Sequence, residues 1–523
     1  MDCSSTTLKT LDPGLVNQLR ESLPANLFEK LNGSLSIDQQ QLERLQKENR
    51  LLRQLRRLDL LEKYGPRAEG LSDAQLELLE LEPGVSIAEV EEESQREQLS
   101  LPLKRAAKHP GRQELPANLP RVEQVIACTA QQCVCGMCGK ETTVIGYESS
   151  EQLDVEPAKY FVRVTKREKR ACKGCEEAGV KSAPLPARII EKGLASDRVV
   201  IDTVVSKYMD HLPLYRQSVI LERETGIELS RATLDGWVMR VGELSRAIVS
   251  AMGQELLRGN YIQADETPIV VQMHDGRGKN HQAYLWQYSS PNGAVIFEFR
   301  MGRGRDGPRE FLKSFKGILQ SDGYAAYDEL GAAIVHAGCW AHARRKFFEA
   351  VKLSPNDKTS IELVVQINEL FGVDAQARED GLNEESRHAL RLEKSKPILE
   401  ELKKKIESAR GVTLPKSGLA KACNYTLMQW VRLVRFLDYP QLELSNNRAE
   451  NSMRPVALGR KNWIHLGSTE AGPRVAAILS LVETCRRLKI PVRDYLASVL
   501  PGLADFPVNR IAELTPSAWA ARI

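Results

Sequence analysis

Between Tyr261 and Val351 the spacing of apolar residues changes in a fixed order, and that order leaves few folds open. Three successive segments, Tyr261 to Gln272, Gln282 to Ser289 and Ala294 to Met301, alternate apolar with polar residues and are joined by polar turns containing glycine, as strands are. A helix from Pro308 to Phe315 follows. Then come a strand from Gly317 to Ser321, a helix near Ala325 to Leu330, a strand from Ala332 to Ala337 and a helix from Trp340 to Val351. Three strands followed by alternating helices and strands predict an RNase H-like α/β core built on a mixed sheet.

Within that core the acidic residues fall at informative places. Alternation puts Gln263, Asp265 and Thr267 on one side of the first strand, and Asp322 ends the fourth. These two strands are neighbours in such a sheet, so the two carboxylates meet. Glu450 stands at the start of a further helix, in Ser445-Asn446-Asn447-Arg448-Ala449-Glu450-Asn451. Three converging carboxylates repel one another unless they hold cations, and a pair of Mg2+ ions in such a site suits phosphodiester chemistry. Plainer roles exist for the same residues. An aspartate at a strand end often forms a turn, and Glu450 fits the N3 position of a capping box with Asn447 as N-cap.

The second constraint is a set of cysteines. Six of the ten lie between Cys128 and Cys175, and four of those form Cys135-Gly136-Met137-Cys138 and Cys172-Lys173-Gly174-Cys175. Each C-x-x-C pair puts two thiolates on one tight turn, and two such turns supply the tetrahedral four-sulfur shell of one structural Zn2+. One pair alone would also fit a redox motif. Cys128 and Cys133 are read as ordinary thiols. Tyr160 to Thr165, between the pairs, alternates like a strand.

Nearer the N-terminus, Leu35, Leu42, Leu45, Leu52, Leu55 and Leu58 recur at coiled-coil spacing, with Asn49 where an a-position falls. A single polar residue there fixes register and partner number. The alternative is an amphipathic helix packed on its own chain. Gly65-Pro66 ends this helix. Between Ser196 and Gly259 the period is helical, with Ile201, Val204, Val205 and Tyr208 on one face and Leu234, Val238, Val241 and Ile248 on another. Gly226 ends one helix and Ser230 N-caps the next, a helix-turn-helix layout that places Arg231 where a DNA groove is read.

These readings divide the 523 residues into a tail (1–34), a coiled-coil helix (35–64), an acidic then Pro-rich and basic linker (65–118), a zinc-binding domain (119–182) and a helix-turn-helix-like segment (183–258). The catalytic core follows in two parts (259–352 and 441–473) around a helical insertion (353–440), and a helical C-terminal domain closes the chain (474–523). Net charge is +4, but basic residues cluster in Arg163–Arg170 and Arg454–Lys461, which suits phosphate backbones. Arg448, Arg454, Arg460 and Lys461, beside Glu450, are candidate phosphate contacts. No apolar run is long enough for a membrane span and no signal peptide is visible, so a cytoplasmic protein is expected.

The chain resembles the insertion-sequence-66 family of bacterial transposases over nearly its whole length. The residues that carry the resemblance are Gln263-Ala264-Asp265-Glu266-Thr267-Pro268, Ser321-Asp322-Gly323-Tyr324 and Gly338-Cys339-Trp340-Ala341-His342-Ala343-Arg344-Arg345-Lys346-Phe347. Ser445 to Asn451, Gly459-Arg460-Lys461-Asn462-Trp463 and Gly467-Ser468 add to it. The resemblance implies a DDE enzyme whose triad is Asp265, Asp322 and Glu450, holding two Mg2+ or Mn2+ ions. It makes Cys339 and His342, a C-x-x-H pair, supports of the active site. It implies binding to terminal inverted repeats, cleavage, and strand transfer into target DNA, by a homo-oligomer that other element-encoded proteins assist. A nuclease that cuts without joining and a non-catalytic DNA-binding regulator are the two alternatives.

Overall fold

The computed structural model describes Pro24, Leu27 and residues 120–522 except 130, 134–136, 149, 154–158, 172–179, 274–279 and 356. The coiled-coil helix (35–64), the linker and Cys135, Cys172 and Cys175 lie outside the described residues. The chain divides into two units, Met1–Gly65 with Arg167–Ile523, and Pro66–Lys166. In the smaller unit Tyr160–Thr165 forms no strand. Its residues are exposed, so the alternation there has no core face to serve. The strands of this part of the chain are β1 (Lys169–Ala171) and β2 (Val180–Ser182), which pair antiparallel in the larger unit.

The larger unit opens with helices α1 (Asp197–Tyr208), α2 (Leu214–Thr225) and α3 (Arg231–Leu257). Gly226 caps α2 in the left-handed region, and Ser230 Oγ accepts from the Thr233 amide at 3.2 Å. The turn is therefore the one its residues specify. Helix α3 is 27 residues long, and Leu234, Val238, Val241 and Ile248 on it are buried. Only its first turn, with Arg231, is free of the core.

Five strands follow as one sheet: β3 (Tyr261–Val271), β4 (His281–Ser289), β5 (Val295–Arg300), β6 (Gly317–Gln320) and β7 (Ile334–Ala337). Their order is β5-β4-β3-β6-β7. The first three are antiparallel, and β6 and β7 add in parallel to β3. Helix α4 (Asp306–Phe311) lies in the crossover from β5 to β6, and α5 (Trp340–Leu353) follows β7. Where a helix near Ala325–Leu330 is expected there is only a 3-10 turn, Ala325–Tyr327, because Tyr324 and Asp328 flanking it are extended.

An insertion of α6 (Lys358–Glu379), α7 (Glu384–Leu390), α8 (Lys396–Val412), α9 (Gly418–Met428) and α10 (Trp430–Leu433) builds a second core against β6, β7 and α5. At its centre Arg391 and Asp374 form a fully buried bidentate pair at 2.6 and 2.8 Å. The chain returns through α11 (Asn447–Trp463) and α12 (Ala471–Arg487), and ends in α13 (Val492–Val499) and α14 (Pro516–Ala520).

Helix α12 closes the first core. Ser480 and Thr484 accept from the amides of Phe297 and Val295, so side chains satisfy the edge strand β5 that would otherwise be open to pairing. Its approach to α3 is close enough that a Cβ at Gly242 would lie 2.7 Å from Arg474, which is why that position carries no side chain.

Candidate active site

Asp265 lies in the middle of β3, and Asp322 follows β6 by two residues, so the parallel pairing of these strands brings the two together. The register sets Gln263 against Gln320, two residues before each carboxylate. Gly323 makes the turn after Asp322 with φ 89°, where a Cβ would also strike Gln429 at 2.9 Å. That turn lets the Tyr324 amide donate to Asp322 Oδ1 at 2.9 Å. From the insertion, Tyr425 donates to the Asp322 carbonyl at 2.6 Å.

Glu450 arrives from much further along the chain, and a buried polar network seats it. Gln263 Nε2 donates to Gln320 Oε1, to Tyr261 Oη and to the Ser445 carbonyl, at 2.9 to 3.0 Å. Gln320 Nε2 donates to the carbonyls of Gly338 and Glu443. Asn446 is fully buried and donates to the Ala264 carbonyl. The sheet thus grips residues 443–446 and aims the first turn of α11 at Asp265.

The expected capping role of Glu450 does not hold. Asn446, not Asn447, is the N-cap residue, its side chain makes no cap bond, and Glu450 is the fourth helical residue. Instead the Glu450 carboxylate takes Arg345 Nη2 at 3.2 Å and has His342 Nδ1 at 3.6 Å.

The electrostatics follow from this convergence. Burial, then the charges of Glu266, Asp322 and Glu450, push the Asp265 carboxyl up to about 8. One backbone amide, that of Glu266, is all that favours its charged form. Burial lowers the pKa of His342 despite Glu450 nearby, so His342 is neutral at pH 7. Cys339, the N-cap of α5, is 1 % exposed, and burial raises its thiol to about 12. Cys339, His342 and Glu450 offer ligand-type atoms within 4.8 Å of one another. A thiol that stays protonated is a poor metal ligand. His342 Nδ1 and the facing Glu450 oxygen are both buried without a hydrogen-bond partner among the described residues, so the imidazole stands beside Glu450 unbonded to it.

Pattern reading misses several groups around the site. Glu266 points away from Asp265 and accepts from Arg303 at 2.6 Å and Tyr327 at 2.8 Å, with its side chain 2 % exposed. Arg303 lies 3.9 Å over the Tyr324 ring, and its carbonyl accepts from Tyr324 Oη. Gln287 stands opposite Asp265 on β4, fully buried, and its carboxamide has no hydrogen-bond partner among the described residues. A residue of that type facing an aspartate was the available signal for Gln287. Nothing local in the sequence marks Arg303.

The candidate DNA contacts separate into two groups. Arg448 donates to the Pro291 carbonyl at 2.7 Å and to Asn292, and Arg460 is part-buried against the Pro268 carbonyl. Arg448 is thus tied to the β4–β5 loop and Arg460 to strand β3. Arg454, Lys461 and Arg231 are exposed. Of the expected zinc ligands only Cys138 is described, and it is exposed.

Three family models match this chain. Residues 192–474 match the model of the transposase IS66 family, and residues 132–176 match the zinc-finger binding domain of transposase IS66. Residues 49–123 match a model described as transposase C of IS166 homeodomain. Three proteins of Sinorhizobium fredii, each named as uncharacterized, are similar over most of their length. They are y4qI (34 % identical, 87 % of this chain and 86 % of that protein), y4jD (33 %, 78 % and 82 %) and y4hP (30 %, 86 % and 84 %). The catalytic-core match alone spans more than half of the 523 residues, from α1 through the first turn of α12, and so this chain belongs to the IS66 family of transposases.

Proposed function

We propose that this transposase is a DDE enzyme with an RNase H-like core, in which Asp265, Asp322 and Glu450 hold two Mg2+ or Mn2+ ions that serve both DNA cleavage and strand transfer. The observation that carries this is the isolation of Asp265: a carboxylate raised to about 8 by burial and by three other carboxylates has no ion pair with a cationic side chain among the described residues. A hard divalent ion is the partner such a donor set fits. Bound there, the ions would activate an attacking oxygen and stabilise the leaving one in an in-line displacement. The protein's own part is positional. The Gln263–Gln320–Ser445 network sets Glu450, the Gly323 turn sets Asp322, and His342 and Arg345 flank Glu450. Arg454 and Lys461 line the approach for phosphates, and Arg231 at the head of α3 reads the terminal inverted repeats.

Cys135, Cys138, Cys172 and Cys175 hold one Zn2+, and the Leu42, Leu45, Leu52 seam pairs two copies on the DNA. Glu450→Gln tests the catalytic assignment. We expect cleavage of repeat-end DNA and strand transfer both to fall at least about 10³-fold, with repeat binding retained, because the three carboxylates act as a unit. An active, stable Glu450→Gln protein would remove this residue from the site. Cleavage without strand transfer by the unmodified protein would make it a nuclease.

A further inference from the structure

Helix α11 presents three faces. Ala449, Met453 and Val456 turn into the core, and Glu450 turns toward Arg345 and His342. The third face, with Asn451, Arg454 and Leu458 spaced three and four residues apart, lines a cleft of about 430 Å3. Met209 and His211, just past α1, and Arg486 of α12 form the facing wall. Arg454 is one helical turn from Glu450, so the cleft adjoins the candidate active site.

Unpaired polar groups gather there. Arg454 is exposed and has no ion-pair or hydrogen-bond partner among the described residues. His211 is held at φ 58°, and its buried Nδ1 has no partner among the described residues. Pro455, inside α11, has no N–H to give the Asn451 carbonyl, which is left without its usual helical donor. Arg486 is different, since buried Glu483 fixes it through two bonds of 2.8 and 2.6 Å. Met209 and Leu458 are 41 % and 53 % exposed and give the cleft apolar surface. Convergent polar groups in an apolar concavity of this size are what a ligand site needs.

The chemistry of the walls selects the ligand. Two arginines against one glutamate favour an anion. Apolar side chains in the lining favour a flat ring, and the unbonded Asn451 carbonyl can accept from the edge of a base. We infer that the cleft holds one unpaired nucleotide of the DNA strand beside the phosphodiester to be cut, with Arg454 on its phosphate and its base between Met209 and Leu458. The inference rests on the DNA-cutting function proposed above. It makes the enzyme favour ends whose bases are already unpaired, since extrusion from a duplex costs stacking.

Photocrosslinking of the full-length protein tests this, with a ten-nucleotide single strand containing 5-iodouracil as the probe. We expect crosslinked peptides that contain Met209 and His211 or residues 451–458. Leu458→Trp, or Met209→Trp from the other wall, should fill the cleft and cut that yield at least fivefold, and Arg454→Ala should reduce the salt slope of binding by about 0.7. Crosslinks confined to other segments, or unchanged yields in both folded tryptophan variants, would overturn the proposal. A protein that cleaves repeat-end DNA but does not crosslink here refutes the nucleotide site and leaves the catalytic assignment standing. A protein that crosslinks here but does not cleave with Mg2+ or Mn2+ refutes the catalytic assignment instead.

Discussion

Asp265 and Glu266 are consecutive carboxylates on β3, and burial is the largest influence on both, yet the fold treats them in opposite ways. Glu266 turns to the face where Arg303 and Tyr327 donate to it, and those two bonds pull back against burial. Asp265 turns to the face where Asp322 and Glu450 wait, and their charges add to burial. The first carboxylate is completed by its own chain and acts as structure. The second has no cationic partner among the described residues, and the proposed metal ions would supply one. Strand alternation, the simplest property of a β-strand, separates the two roles by one residue.

The comparison breaks most sharply if the two are neutralised one at a time. Asp265→Asn should reduce cleavage at least about 10³-fold while raising the melting temperature of the metal-free protein. The sign follows from linkage. A carboxyl raised in the folded state contributes stability below its unfolded pKa near 3.8, and that stability is lost as pH climbs toward about 8. The gain from Asp265→Asn should therefore be larger at pH 8.5 than at pH 5, which thermal melts in EDTA at the two values would show. An equal gain at both would mean that Asp265 is not buried among like charges.

Glu266→Gln should change stability less and in the other direction. Burial raises the Glu266 carboxyl too, but its bonds from Arg303 and Tyr327 offset that, and because Arg303 is 45 % exposed and screened the loss should be only about 1.5 kcal/mol, near a tenfold change in the folding equilibrium. Urea unfolding of Glu266→Gln and Arg303→Met, singly and together, would check it. Losses that simply add would show that the two side chains do not act as a pair.

A smaller effect sharpens the same contrast. Metal must displace the proton that Asp265 holds below about 8, so the Mn2+ concentration for half-maximal cleavage should fall as pH rises from 6.5 to 8, by at most about tenfold per unit. A metal requirement flat across that range would contradict a protonated Asp265.

Much of this was legible in the sequence, but only along the chain. Alternation located β3, β4 and β5 to within one or two residues, and Ser230 and Gly226 marked their turn, because the cause of each lies in a few adjacent side chains. Reading failed where the cause is distant. Glu266 finds Arg303 at 37 residues' remove, and Asn446 spends its side chain on Ala264 rather than on a helix cap. Arg448 and Arg460 looked like free cations and prove to be bonded to a loop and to strand β3, which no local pattern connects to them. Tyr160–Thr165 shows the opposite error, an alternating pattern with no core behind it.

One feature of the network has a temporal side. Ser445, which anchors the approach to Glu450, is 182 residues downstream of the Gln263 amide that holds it. At ordinary translation rates the ribosome needs roughly 10 to 40 s to supply that stretch. Throughout that interval the nascent chain carries Asp265 without the loop that brings Glu450 to it. The arrangement proposed to cut DNA cannot exist on a partly made chain. On that proposal, a polypeptide released from within the insertion is unable to damage the genome that encodes it.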